Sequence, residues 1–73
     1  RITLFALSAG QEMTEHTAAK DALVQILEGD ITLTVEGKTH EAGPGSLLQM
    51  RPHVPHSLVA KSPSKFLLVL LRA

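Results

Sequence analysis

The sequence predicts an all-β domain, an antiparallel sandwich or barrel made of short strands. Apolar Ile31, Leu33 and Val35 alternate with polar residues, which is the period of two expected for a strand buried on one face. Breaks that contain glycine or proline recur at short intervals along the chain. No window has a convincing helical period, because the best attempt, residues 14–22, has mostly alanine at its apolar positions.

Six strands are predicted between these breaks. In chain order they cover residues 2–8, 22–27, 31–36, 46–50, 56–60 and 65–72. Residues 28–30 and 36–38 each centre on a glycine, which readily takes positive φ, so both predict tight hairpin turns. Gly43-Pro44-Gly45 and Ser62-Pro63-Ser64 are the other two breaks.

Length and composition limit the chain to one domain, residues 1–73. A chain this short buries only about 60% of the surface that it exposes when unfolded. It has no cysteine, so disulfides and thiolate metal sites are excluded. The chain begins at Arg1 rather than methionine. We therefore expect the native N-terminus to lie upstream.

The charge balance and the apolar runs argue against two classes of partner. Seven basic and seven acidic residues cancel, and only two residues are aromatic, so we expect no nucleic acid partner. The longest apolar run, residues 66–71, is far shorter than the roughly 20 residues of a membrane span. We expect no membrane partner and a cytoplasmic location.

The first and last predicted strands are apolar on both faces. In residues 2–7 and 66–71, positions of either parity are mostly apolar. One face can fill the core, and the other needs cover. We expect a second subunit to supply it and the protein to be a homodimer, the alternative being a strand buried between two layers of its own barrel.

Gly10, His16 and Gly29 have the spacing of a known motif: glycine, five residues, His-x-His, three or four residues, glutamate, six residues, glycine. In this frame the sequence resembles the cupins, a family of small jelly-roll β-barrels. The second histidine of the motif falls on Ala18 and its glutamate on Ala22. Two of the three usual metal ligands of that motif are therefore absent.

The second cupin motif is matched in its frame and in one ligand. It runs glycine, five residues, Pro-x-Gly, two residues, histidine, three residues, asparagine. Gly45 begins it and His56 fills the histidine, whereas Arg51 and His53 replace the proline and second glycine, and Ala60 replaces the asparagine. The resemblance covers residues 8–71 and implies a small antiparallel jelly-roll barrel, completed by dimerisation.

The resemblance also implies a cavity inside the barrel. A cupin metal usually has three histidines and a carboxylate, of which this chain would supply His16 and His56. We expect either a divalent transition metal (zinc, iron, nickel or manganese) or no metal. Strand parity and the motif frame predict a ligand pocket lined by the following residues: His16, His56, Val24, Ile26, Met50 and Leu58.

Three functions remain open at this point. The first is a cupin that binds a small molecule in its barrel, with or without a metal held by His16 and His56. The second is a metal-dependent oxygenase or isomerase with an incomplete protein ligand set. The third is metal-free acid–base catalysis by the two histidines, which no tyrosine can assist because the chain has none.

Overall fold

The computed structural model describes the backbone of residues 1–16 and 19–71, and the side chains of that part except those of Glu15 and His16. The described residues form eight strands and no helix. The strands are β1 (Ile2–Leu7), β2 (Glu12–His16), β3 (Ala22–Glu28), β4 (Ile31–Val35), β5 (Lys38–Ala42), β6 (Leu47–Met50), β7 (His56–Ala60) and β8 (Ser64–Leu70). Within this part of the chain, no helix is therefore available to cross a membrane.

The strands pair into two four-stranded sheets. The first sheet has the order β1-β8-β3-β6 and the second the order β2-β7-β4-β5. Every pairing is antiparallel. The chain passes repeatedly from one sheet to the other, which is the jelly-roll arrangement. The all-β fold class predicted from the sequence is confirmed.

Two strands of the second sheet, β2 and β5, were not predicted. Both lie at the edges of that sheet. In β5 every residue is exposed except Ala42, so polar residues occupy both faces and no period of two appears in the sequence. In β2 the only apolar residue is Met13. Alternation in the sequence reveals a strand through its buried apolar face, and these two edge strands bury almost no apolar side chains.

The core lies between the two sheets. Its largest fully buried side chains are Phe66, Ile26, Ile31 and Leu33. Ile31 and Leu33 are the inward members of the alternating pattern that predicted β4, and Thr32 between them is half-buried. Phe66 stacks on Phe5 with ring centroids 4.9 Å apart, which joins β8 to the edge strand β1.

The turn between β3 and β4 packs against the loop between β7 and β8. Gly29 has a φ of 83°, in the left-handed region that favours glycine. The Asp30 amide donates a hydrogen bond to Ser62 Oγ (3.0 Å), and the Lys61 amide donates one to the Asp30 carbonyl (2.8 Å). These contacts tie the first sheet to the second at one end of the sandwich.

Candidate functional site: the cavity at His56

A small cavity lies between the two sheets. Its volume is about 20 Å³, which is room for about one water molecule, and its mouth opens to solvent. Its walls are His56 and seven apolar side chains: Met13, Val24, Leu33, Met50, Leu58, Phe66 and Leu68. The cavity is therefore apolar, with one imidazole as its polar group among the described walls.

His56 is held in a fixed orientation at the start of β7. Its side chain is only 7% exposed. Its Nδ1 lies 3.0 Å from the carbonyl oxygen of Val54. A carbonyl can only accept, so Nδ1 carries the proton, and in the neutral ring the lone pair is on Nε2. Among the described residues no buried side-chain nitrogen or oxygen lacks a hydrogen-bond partner, so this histidine is satisfied where it stands.

The backbone of His16 lies directly opposite His56. The two residues are paired across β2 and β7, after a bulge that separates this pair from the pair Met13 and Leu58. The side chain of His16 and all of Ala18 lie outside the described part of the chain. The hypothesis that His16 lines the cavity and binds a metal therefore stays a prediction.

The structure places the other predicted pocket residues as follows. Val24, Met50 and Leu58 are buried and form walls of the cavity with His56. Ile26 is also buried, but it belongs to the core and is not one of the cavity walls. Its inward parity was predicted correctly, but it lies two residues beyond Val24, toward the Gly29 turn, where the two sheets pack on each other.

Four walls of the cavity were missing from the predicted pocket: Met13, Leu33, Phe66 and Leu68. For Leu33 the sequence carried a usable signal, since alternation had already placed it on the apolar face of its strand. For Phe66 and Leu68 it did not, because residues 66–71 are apolar on both faces. For Met13 it carried none, because the polar strand β2 was not recognised. The two other histidines, His40 and His53, are exposed, as expected for surface residues.

The described residues do not fit a metal centre of the kind that cupins usually have. No group of three histidine, cysteine, aspartate or glutamate side chains able to hold a metal occurs in this part of the chain. Ala22, at the glutamate position of the motif, is buried and has no donor atom. The remaining wall atoms are hydrocarbon and the thioethers of Met13 and Met50, which suit soft ions rather than zinc, iron, nickel or manganese.

The comparison with protein families decides the identity of the fold. The family model described as the Cupin domain matches residues 3–70. The chain is a cupin. Both motif frames that predicted this family lie inside the matched range, together with the two alanines that replace its ligands. No curated protein matches the chain significantly.

Solved structures agree with this assignment. The cupin is 35% identical to a conserved Streptococcus pyogenes protein of unknown function, with a TM-score of 0.94, covering 99% of this chain and 63% of that one. It is 26% identical to a cupin superfamily protein from Desulfitobacterium hafniense, with a TM-score of 0.94, covering 99% and 66%. The chain thus spans just under two thirds of the length of both relatives.

A third neighbour shows the fold alone. Salicylate 1,2-dioxygenase from Pseudoaminobacter salicylatoxidans, solved with gentisate, is 24% identical with a TM-score of 0.90. The alignment covers 93% of this chain but 19% of the dioxygenase. It places the same barrel inside a much larger enzyme and carries no information about the chemistry of this chain.

Proposed function

We propose that this cupin binds a small, mostly apolar molecule in its barrel, with His56 as the polar anchor. The observation that carries the proposal is the make-up of the cavity: seven apolar walls and one buried imidazole of fixed orientation. Small-molecule sites are typically apolar with a few well-placed polar groups. His56 makes a further interaction besides the one with Val54. A ligand hydroxyl or carboxyl would therefore bind the imidazole by sharing or replacing that interaction.

The size of the cavity limits the class of ligand. The space between the sheets has room for about one water-sized group, so the larger part of a ligand would occupy the mouth. The apolar walls favour a short-chain or single-ring alcohol or monocarboxylate. A nucleotide or a sugar phosphate would meet no charged partner among the described walls.

The test is thermal unfolding in the presence of short-chain and single-ring alcohols and monocarboxylates. A ligand at ten times its Kd stabilises the native state by about 1.4 kcal/mol. For a domain of this size that raises Tm by about 6–11 °C. In His56→Phe we expect the same ligand to bind 5- to 150-fold more weakly, because its polar group loses a partner worth about 1–3 kcal/mol.

Two controls keep this test specific. His56→Gln retains a side-chain donor and acceptor, so it should recover part of the affinity that His56→Phe loses. His53→Phe changes an exposed histidine in the loop that leads into β7 and should leave binding unchanged. A ligand that binds His56→Phe as tightly as the wild type would show that His56 is not the anchor.

A second candidate is a metal-dependent cupin in which His16 and His56 hold a transition metal and solvent or substrate completes the sphere. The backbone pairing of these two residues favours it, because residues opposite each other in an antiparallel ladder share one face of the sheet. Two protein ligands are fewer than the three that a catalytic zinc site commonly has. We therefore expect weak binding, in which zinc, iron, nickel or manganese is lost on dialysis.

Restoring a carboxylate at Ala22 tests this second candidate. In Ala22→Glu we expect a loss of stability without metal, because a buried carboxylate carries a large desolvation penalty. If His16 and His56 are ligands, added zinc or manganese should reverse that loss and raise the metal content to about one per chain. In the wild type and in Ala22→Gln, added zinc or manganese should raise neither the stability nor the metal content. Ala22→Glu that takes up no metal would contradict the two-histidine site.

A further inference from the structure

Two thioether sulfur atoms and one imidazole lie among the walls of the same cavity. They belong to Met13 on β2, Met50 on β6 and His56 on β7. Because β6 belongs to the first sheet and β2 and β7 to the second, these side chains enter the cavity from both sides. The other described walls are hydrocarbon. Every side-chain atom of these walls that could bind a metal is therefore a soft sulfur or an imidazole nitrogen.

The strand registers bring the three side chains within reach of one another. Met13 is paired with Leu58, which lies two residues beyond His56 on β7, so Met13 and His56 are diagonal neighbours on the inner face. Diagonal neighbours are about 7–8 Å apart, a distance that a long side chain can bridge. Met50 approaches from the opposite sheet, about 10 Å away, and its flexible side chain adapts to an irregular space.

His56 is oriented as metal-binding histidines usually are. Its Nδ1 donates to the Val54 carbonyl oxygen (3.0 Å), and a histidine that binds a metal usually donates its other ring N–H to a carbonyl or carboxylate. Nε2 is then the nitrogen that binds the ion. Because His56 makes a further interaction besides the one with Val54, an ion would share or replace it.

We propose that Met13, Met50 and His56 form a binding site for copper(I). Thioether sulfur selects copper(I) among the first-row metals, and imidazole also suits copper. The charge of the ion follows from the neutral walls. No described wall is a carboxylate, and Ala22, paired with Met50, is buried and has no donor atom. With no anion to balance the metal, one positive charge costs less to bury than two.

The size of the cavity agrees with a single bare ion. Its volume of about 20 Å³ has room for about one water molecule. An ion bound directly by the three side chains fits such a space, whereas an ion that keeps several water ligands does not. The site shares its cavity with the proposed function but needs no organic ligand, so either can fail while the other holds.

The first test is titration of the full chain with copper(I), kept reduced by ascorbate without oxygen, against a coloured chelator that competes for the ion. We expect one copper(I) per chain. Met13→Leu and Met50→Leu should each raise the Kd at least about tenfold, since even residues that only orient a metal ligand change the affinity by about 10- to 100-fold. Leucine has nearly the volume of methionine, so both variants should keep the fold.

Two controls separate this site from unspecific binding. Val59→Met adds a thioether at an exposed position of β7 and should leave the number of bound ions at one. Zinc(II), titrated against a zinc chelator, should bind the wild type at least about tenfold more weakly than copper(I), because thioethers suit soft ions.

A second readout shows which atoms contact the ion. Silver(I) is a soft monovalent probe that does not oxidise in air. In protein labelled with ¹³C at the methionine methyl groups, one equivalent of silver(I) should shift the signals of Met13 and Met50 together. In His56→Phe the same shifts should require an excess of silver(I), because one of the three ligands is lost.

Three results would overturn the inference. The first is a wild type that takes no copper(I) from the chelator. The second is binding that Met13→Leu and Met50→Leu leave at wild-type affinity, which would place the ion elsewhere, as at the exposed His40 or His53. The third is a silver(I) titration that shifts only one methionine signal or neither. No alcohol or carboxylate ligand is present in these titrations, so their outcome is distinct from that of the proposed function.

Discussion

Gly29→Ala is expected to destabilise the fold by about 3–5 kcal/mol, which is most of the stability of a domain this small. Gly29 has a left-handed φ of 83°, and any other residue there carries a strain of about 1–2 kcal/mol. An added Cβ would also meet Ser64 Oγ and the Pro63 carbonyl oxygen, and would lie 2.8 Å from Ser64 Cα. Two of these three atoms are backbone, so no rotamer change can relieve the clash.

The control for this prediction is Gly37→Ala. Gly37 has a similar φ of 77°, but a Cβ there meets nothing within 4 Å, so only the strain of about 1–2 kcal/mol applies. Urea denaturation of both variants separates strain from clash. In a Ser64→Ala background Gly29→Ala should cost nearly as much as in the wild type, because the backbone atoms remain. The proposed contact would be contradicted if Ser64→Ala fully restored the stability that Gly29→Ala loses. It would also be contradicted if Gly29→Ala and Gly37→Ala lowered the free energy of unfolding equally.

Phe66→Ala is the second substitution with a large expected effect. Phe66 is 1% exposed, is the largest fully buried side chain and stacks on Phe5. Its truncation should cost about 3–5 kcal/mol, because the sheets close only partly over the space that the ring leaves. The midpoint of urea unfolding should fall in proportion, with the slope of the transition unchanged.

Phe66→Leu serves as the milder comparison. It keeps an apolar side chain at the same place and should cost clearly less than Phe66→Ala. Because Phe66 is also a wall of the cavity, Phe66→Leu should enlarge the space available to a ligand. A cost below about 1.5 kcal/mol for Phe66→Ala would mean that the ring is not the centre of the core.

The sequence predicted the fold through its buried strands. Alternation placed Ile31 and Leu33 inward, and the glycine at position 29 marked a turn that the structure confirms. The edge strands β2 and β5 were not predicted because almost all of their residues are polar and their conformation comes from backbone pairing with a neighbour. Pairing between distant segments leaves no local pattern that can be recognised.

The site was predictable only in part. The motif frame singled out His56, which lies in the cavity. Parity singled out Val24 and Leu58, which are walls of the cavity, but it could not show how far along β3 the cavity extends, and so it included Ile26. Met13 reaches the cavity from a strand that was not predicted. How far a cavity extends along a strand depends on how the two sheets pack against each other. The sequence of one strand does not carry that information.

The most direct test of the proposed function uses the two methionines as probes. Met13 and Met50 are the only methionines in the sequence, and both are walls of the cavity, approaching it from different sheets. In protein labelled with ¹³C at the methionine methyl groups, their two signals report on the cavity alone, and Met13→Leu and Met50→Leu assign them. The titrants are the same short-chain and single-ring alcohols and monocarboxylates.

We predict that a binding member of this series shifts both methyl signals along one saturation curve. In His56→Phe the Kd obtained from that curve should be at least fivefold higher. If ligands that stabilise the protein leave both signals in place, they bind elsewhere. If no member of the series moves either signal, the cavity is a closed part of the core. Either of these results would contradict a binding function for this barrel.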